Sequence, residues 1–141
     1  MVQILLAEDN PADIFLIREA LDENNVACSL QVAKDGKEAL SLLRAAGGLT
    51  GAAPLDLILL DLNLPQHDGV EILQYVRQND RLATLPVIVF TSSDSPSDRV
   101  SATQLGITRY IKKPSMLDEF LAIGAVIREV LAAPPVSIPA S

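Results

Sequence analysis

Short apolar runs alternate with longer amphipathic stretches five times along the chain, the pattern of parallel strands joined by crossover helices. The runs predict strands over 3–7, 29–33, 56–60, 87–90 and 108–112. The first, third and fourth are aliphatic at consecutive positions, as strands covered on both faces require, whereas Leu30 and Val32 flank Gln31 and suit a sheet edge. The stretches between them open on helix-start signals. Asn10-Pro11 and Ser95-Pro96 each offer a capping side chain followed by a proline, whose missing N–H a first helical turn does not use. Asp35 with Glu38, Asp68 with Glu71 and, more weakly, Ser115 with Asp118 have the spacing of a capping box.

Ile14, Ile17 and Leu21 share one helical face, and Leu117, Leu121, Gly124 and Ile127 share another, so a single last helix is expected to pack on the core. Gly47-Gly48 is expected to end the second helix through a left-handed glycine. The connection over 47–55 is long and rich in Gly and Ala, and reads as a mobile loop. After Leu131, Pro134-Pro135 rules out further helix. The expected organisation is one domain over 1–131 and a flexible Pro-rich tail over 132–141, with no output domain.

The 141 residues, 49% hydrophobic and 21% charged, match one globular domain with a single sizeable core. A formal charge of −7 has the wrong sign for gripping a polyphosphate, which argues against direct nucleic-acid binding. No apolar run approaches the roughly 20 residues of a membrane span, and the amino terminus lacks a signal-peptide pattern, so a cytoplasmic location is expected. One cysteine and one histidine leave no intrachain disulfide and no Cys/His zinc cluster.

Ligands of open α/β sheets bind beyond the carboxyl ends of the strands. Glu8-Asp9 follows the first strand, Asp61 the third, Thr91-Ser92-Ser93 the fourth and Lys113-Pro114 the fifth. If the strands run in the order 2-1-3-4-5, these four ends are neighbours along one rim. Three carboxylates there repel one another and, as hard oxygen ligands, favour a small hard cation such as Mg2+, held by Asp9, Asp61 and a nearby backbone carbonyl. A carboxylate beside a cation and a lysine stays ionised and nucleophilic, and the same charges stabilise a transferring phosphoryl group. The chemistry that fits is phosphorylation of an aspartate.

With these residues in place, the chain up to about Leu131 resembles the receiver domain of two-component response regulators. The matching features are Glu8-Asp9, Asp61 within Leu-Leu-Asp-Leu-Asn-Leu-Pro, Gly69, Thr91 and Lys113-Pro114. The resemblance implies a flavodoxin-like (βα)5 three-layer sandwich with a five-stranded parallel sheet in the order 2-1-3-4-5. It implies that Asp61 accepts a phosphoryl group from a sensor histidine kinase. Glu8, Asp9, Asp61 and the backbone carbonyl of Asn63 would surround Mg2+, Glu8 mainly through water. Lys113 would pair with the phosphoryl oxygens across a cis Lys113-Pro114 bond. Thr91 would move to hydrogen-bond the phosphate and Tyr110 would turn inward, switching the surface of the fourth helix, fifth strand and fifth helix. Ser92 often corresponds to a smaller residue in the family, and Asn63 and Ser93 occupy positions that tune dephosphorylation. Such a domain promotes its own phosphorylation and dephosphorylation without being an enzyme in the ordinary sense.

Leu62-Asn63-Leu64-Pro65, the long loop and the short tail resemble single-domain regulators paired with phytochrome-type histidine kinases. The expected partners are such a kinase, a downstream protein and a second copy in a homodimer through the last helices. A phosphorelay intermediate, passing the group from Asp61 to another histidine, has the same site. A HAD-like small-molecule phosphatase also uses a strand-end aspartate and Mg2+, but carries it on the first strand with a second aspartate two positions on, where this chain has Asn63. A flavodoxin-like electron carrier needs a phosphate loop after the first strand, where Glu8-Asp9-Asn10 would repel the phosphate. His67, without a partner residue, reads as a surface histidine and Cys28 as inert packing. Phe120 and Leu121 read as core, and Val126 and Val130 as outward positions available to a dimer.

Overall fold

The computed structural model describes residues 1–47, 54–66 and 68–133. Five parallel strands, β1 (Val2–Ala7), β2 (Cys28–Ala33), β3 (Leu57–Leu60), β4 (Val87–Thr91) and β5 (Arg109–Lys112), form one sheet in the order β2-β1-β3-β4-β5. The flavodoxin-like arrangement expected from the sequence is the one observed. Between the strands run α1 (Pro11–Glu23), α2 (Gly36–Ala46), α3 (Gly69–Gln78) and α4 (Pro96–Gln104), and after β5 come α5 (Leu117–Leu121) and α6 (Ile123–Ala132).

Alternation along the strands divides the core into two layers, because successive side chains leave a strand on opposite faces. Leu5, Ala7, Ile58, Leu60, Val87 and Val89 pack with α2 and α3, and Ile4, Leu6, Leu57, Leu59, Ile88 and Phe90 pack with α1, α5 and α6. Every residue of β3 is buried, which follows from its place at the centre of the sheet. The Phe90 and Phe120 rings meet edge to face with centroids 4.9 Å apart, so Phe120 belongs to the core as expected. The register aligns the strand ends: Ala7 lies opposite both Ala33 and Leu60, and Thr91 opposite Lys112. The residues immediately after β1, β3 and β5 therefore emerge on one rim with the last residue of β4.

The capping signals operate as read for four helices. Asn10 Oδ1 accepts the N–H groups of Ala12 and Asp13, and Asp35, Asp68 and Ser95 cap α2, α3 and α4. The fifth differs: Met116, not Ser115, precedes α5, and it makes no side-chain capping bond. The single last helix is instead two segments that meet at Ala122, with Ala125 N–H reaching back three residues to the Ala122 carbonyl. Within this tightened turn, Gly124 sits where a Cβ atom would lie 2.2 Å from the Ala20 carbonyl oxygen and 2.4 Å from Asn24 Nδ2. Only a glycine lets the α6 backbone close onto the end of α1. Val130 is buried on this side of the sheet, so of the two valines expected outward only Val126 is partly exposed.

Gly47 ends α2 with φ −85°, outside the left-handed region, and Gly48 lies outside the described residues; the small size of Gly47 accommodates Asn79. Cys28 opens β2 and is half-buried. Arg77 of α3 is a tie between loops. Its guanidinium donates to the carbonyls of Leu105 (2.7 Å), Ala83 and Leu85 (2.9 Å each) and Gly106 (3.0 Å). Among the described residues no helix is long and apolar enough to cross a membrane. His67, residues 48–53 of the 47–55 connection and the tail beyond Ala133 lie outside the described residues.

Candidate functional site

The rim formed by the strand ends opens into a cleft of about 600 Å3 lined on one side by Glu8, Asp9, Asp61 and Lys113 and on the other by Met116 and Leu117. Backbone bonds hold its base. Asp61 N–H donates to the Ala7 carbonyl, Glu8 N–H to Ala33 and Lys113 N–H to Thr91, so each functional residue continues the ladder of its strand. Gly69 holds the loop after β3. Its N–H donates to Leu62, and a Cβ there would come within 2.6 Å of Leu62 Cα, so α3 starts hard against the segment that carries Asp61.

Asp61 is 5% exposed, and both its oxygens are engaged. Oδ1 accepts the Thr91 hydroxyl at 2.7 Å and the Asn63 N–H at 3.0 Å, while Oδ2 faces Lys113 Nζ at 2.9 Å. Burial pushes its pKa upward, but the donors from Asn63, Thr91 and Lys113 together outweigh that and hold it below the usual carboxylate value. The carboxylate is thus ionised, oriented and desolvated, as a nucleophile needs to be.

Glu8 is 1% exposed. Its Oε1 lies 2.5 Å from Lys113 Nζ, and its Oε2 accepts the N–H groups of Asp9 and Asn10. Burial and the Asp61 charge nevertheless push its pKa up to about 7, with burial the larger cause and Lys113 opposing both. On Lys113, burial alone acts to lower the pKa, and hydrogen bonds to Asp13, Glu8 and Asp61 reverse that and raise it, leaving a secure ammonium.

Oxygens of Glu8, Asp9 and Asp61 all lie within 4.8 Å of one another. Two buried carboxylates and an exposed one offer hard oxygen donors on a cleft that water reaches, the donor set of a divalent cation that keeps part of its hydration shell. The sequence expectation for these residues and for Lys113 and Thr91 is met in placement: all of them converge. The Thr91 hydroxyl touches Asp61 directly. The Lys113-Pro114 bond is a correction: there is no cis peptide bond among the described residues, so this one is trans. Trans is the intrinsically preferred isomer of an X–Pro bond, and from it Lys113 Nζ reaches all its carboxylate partners.

Tyr110 is half-buried beneath the Arg99 guanidinium of α4, 5.0 Å from its ring centre. Burial and the nearby Asp98 charge push its phenol pKa up, with the Arg99 charge and a hydrogen bond with Ser93 opposing. Ser93 N–H in turn donates to Thr91 Oγ1 at 3.2 Å and Ser93 Oγ to Asp98 Oδ2 at 3.1 Å, so a run of polar contacts links Asp61 through Thr91 and Ser93 to α4. Sequence reasoning missed Asp13, whose Oδ2 lies 2.8 Å from Lys113 Nζ. The available signal was its position in the first turn of the helix that opens beside β1.

The response regulator receiver domain family matches residues 4–124. The chain is 36% identical over 116 residues to response regulator Rcp1 of Synechocystis sp., covering 82% of this chain and 79% of that protein. The crystal structure of the phosphorylated cyanobacterial phytochrome response regulator RcpA matches with a TM-score of 0.81 and 39% identity, covering 91% of each chain. The Mn2+-bound form of response regulator Rcp1 matches with a TM-score of 0.82 and 33% identity, covering 92% of this chain and 93% of that one. A rim that gathers an ionised aspartate, its acidic neighbours, a lysine and a threonine, on a chain matched over nearly its whole fold, has one reading: this protein belongs to the response regulator receiver domain family, the phosphoacceptors of two-component signalling, which interact with histidine kinases.

Proposed function

We propose that Asp61 is the residue that accepts the phosphoryl group, donated by the phosphohistidine of a sensor histidine kinase in a Mg2+-dependent reaction. The observation that carries this reading is the set of contacts on Asp61, which leave it buried, charged and held by Thr91, Asn63 and Lys113. Glu8, Asp9 and Asp61, whose oxygens lie within 4.8 Å of one another, would hold Mg2+ together with the Asn63 carbonyl. When bound, the ion neutralises charge on the phosphoryl oxygens.

The chain's own residues do the rest. Thr91 and Asn63 orient the carboxylate through Oδ1. An Asp61 oxygen forms a bond to phosphorus as the P–N bond to histidine breaks, and the electron pair of that bond leaves with the imidazole nitrogen. Lys113 supplies a positive charge beside the transferring group. The added charge of about −1.5 to −2 changes what Thr91 and Lys113 bond to, and the contacts of Ser93 with Thr91 and Asp98 carry that change to α4, whose Arg99 covers Tyr110. The switched surface is α4, β5 and the last helices, where a homodimer or a downstream protein would be selected. Hydrolysis of the aspartyl phosphate at the same site resets the domain.

Similarity to a protein described as a cyanobacterial phytochrome response regulator supports a phytochrome-type kinase as the phosphodonor. Intact mass after incubation with acetyl phosphate and Mg2+ tests the chemistry. An adduct that requires both Mg2+ and Asp61, and is lost in Asp61→Asn, is expected; a wild-type chain that takes up no phosphoryl group under rapid quenching overturns the reading.

A further inference from the structure

A lysine ammonium has three N–H donors and no acceptor. Lys113 Nζ donates to Asp13 Oδ2 at 2.8 Å and to Asp61 Oδ2 at 2.9 Å, and it is ion-paired with Glu8 Oε1 at 2.5 Å. Three carboxylate oxygens already surround the ammonium before any phosphoryl oxygen arrives. A phosphoryl group that pairs with Lys113 has to displace one of these acceptors.

The three are not equally held. Glu8 is 1% exposed, and its other oxygen is fixed by two backbone N–H groups. Asp61 is anchored through Oδ1 by Thr91 and Asn63. The Asp13 side chain is 20% exposed, and among the described residues Lys113 is its only hydrogen-bond or ion-pair partner. A carboxylate that reaches water gives up least on release, because water takes over the lost bond. An acid in the first turn also suits the positive end of a helix dipole. That role calls for no contact with a lysine 100 positions further along the chain.

Taking Asp61 as the phosphoacceptor, on which this assignment rests, we infer that Asp13 is a positioning residue that occupies one N–H of Lys113 and yields it to the incoming phosphoryl group. Until it yields, Asp13 opposes the reaction twice, by holding a donor that the phosphoryl oxygens need and by adding negative charge to the cleft it lines. The contact therefore sets the readiness of Lys113, and with it the rate at which the domain accepts phosphate.

The test is the rate of phosphoryl incorporation from acetyl phosphate at saturating Mg2+ and subsaturating donor, followed by intact mass, alongside the thermal midpoint of each variant. Asp13→Asn is expected to react about three- to tenfold faster than wild type. Asp13→Glu, which keeps the charge, is expected to fall back towards the wild-type rate. A purely structural role would lower the midpoint of Asp13→Asn without any gain in rate, and that result overturns the assignment, as does an equal rate in all three chains. Should Asp13→Asn fail to fold, Asp13→Ser carries the same expectation. Uptake by wild type with no acceleration in the variants overturns only the role of Asp13, whereas no uptake by wild type overturns the reading of Asp61 and this assignment together.

Discussion

The Thr91 hydroxyl, fully buried at the end of β4, donates to Asp61 Oδ1 across 2.7 Å. The fourth strand thus holds the carboxylate carried by the third. Replacing Thr91 with Val keeps the shape and removes the donor. Asp61 has its pKa held down, so its bonds stabilise the fold above the usual carboxylate value, and that stability is lost as pH falls through the lowered value. Thr91→Val is expected to move the Asp61 titration upward and to cost about 1 kcal/mol at pH 7. Carboxyl 13C NMR across a pH series, with urea unfolding, measures both.

Glu8 has the opposite sign. Its pKa is raised from 4.5 to about 7, so between those values the metal-free folded state holds a proton that the unfolded chain has released. The cost of burying its charge is complete above pH 7 and is relieved as pH falls towards 4.5. Glu8→Gln is expected to stabilise the metal-free protein at pH 8 by about 1–2 kcal/mol and to give no gain near pH 4.5. Lys113 keeps Asp13 and Asp61 as partners in this variant. Mg2+ affinity, followed by titration calorimetry, is expected to fall; unchanged stability at both pH values would contradict the account.

Close approach at Gly124 makes a sharp packing prediction. In Gly124→Ala the new methyl group meets backbone, the Ala20 carbonyl, and cannot be relieved by turning a side chain. Separation of α6 from α1 is expected to cost about 2–4 kcal/mol. The urea midpoint should drop with an unchanged slope, and phosphoryl uptake in buffer should persist because the rim lies at the other end of α1.

Met116 and Leu117 line the cleft mouth and are 63% and 55% exposed. Large apolar side chains left in water beside a charged site suit contact with a protein donor. The double variant Met116→Ser, Leu117→Ser is expected to accept phosphate from acetyl phosphate at the wild-type rate and from a phosphorylated kinase about tenfold more slowly. Parallel time courses with the two donors separate these effects.

The elements and most of the rim were legible in the amino-acid pattern alone. Apolar runs, capping residues and helix periods act between near neighbours, so Asn10, Asp35, Asp68 and Ser95 could be read as helix starts without knowing the fold. Strand ends carry their chemistry in the next one or two residues, which is why Glu8, Asp9, Asp61, Thr91 and Lys113 were legible. Whatever depends on which surfaces meet was left to the tertiary structure. Asp13 reads as an ordinary first-turn acid until α1 is packed with that turn facing the end of β5, and Arg77 reads as a surface charge until four carbonyls surround it. The split at Ala122 and the need for glycine at position 124 come from α6 closing on α1. Local periodicity encodes what each segment is, while burial and charge pairing between segments, summed over the packed molecule, decide what each side chain touches.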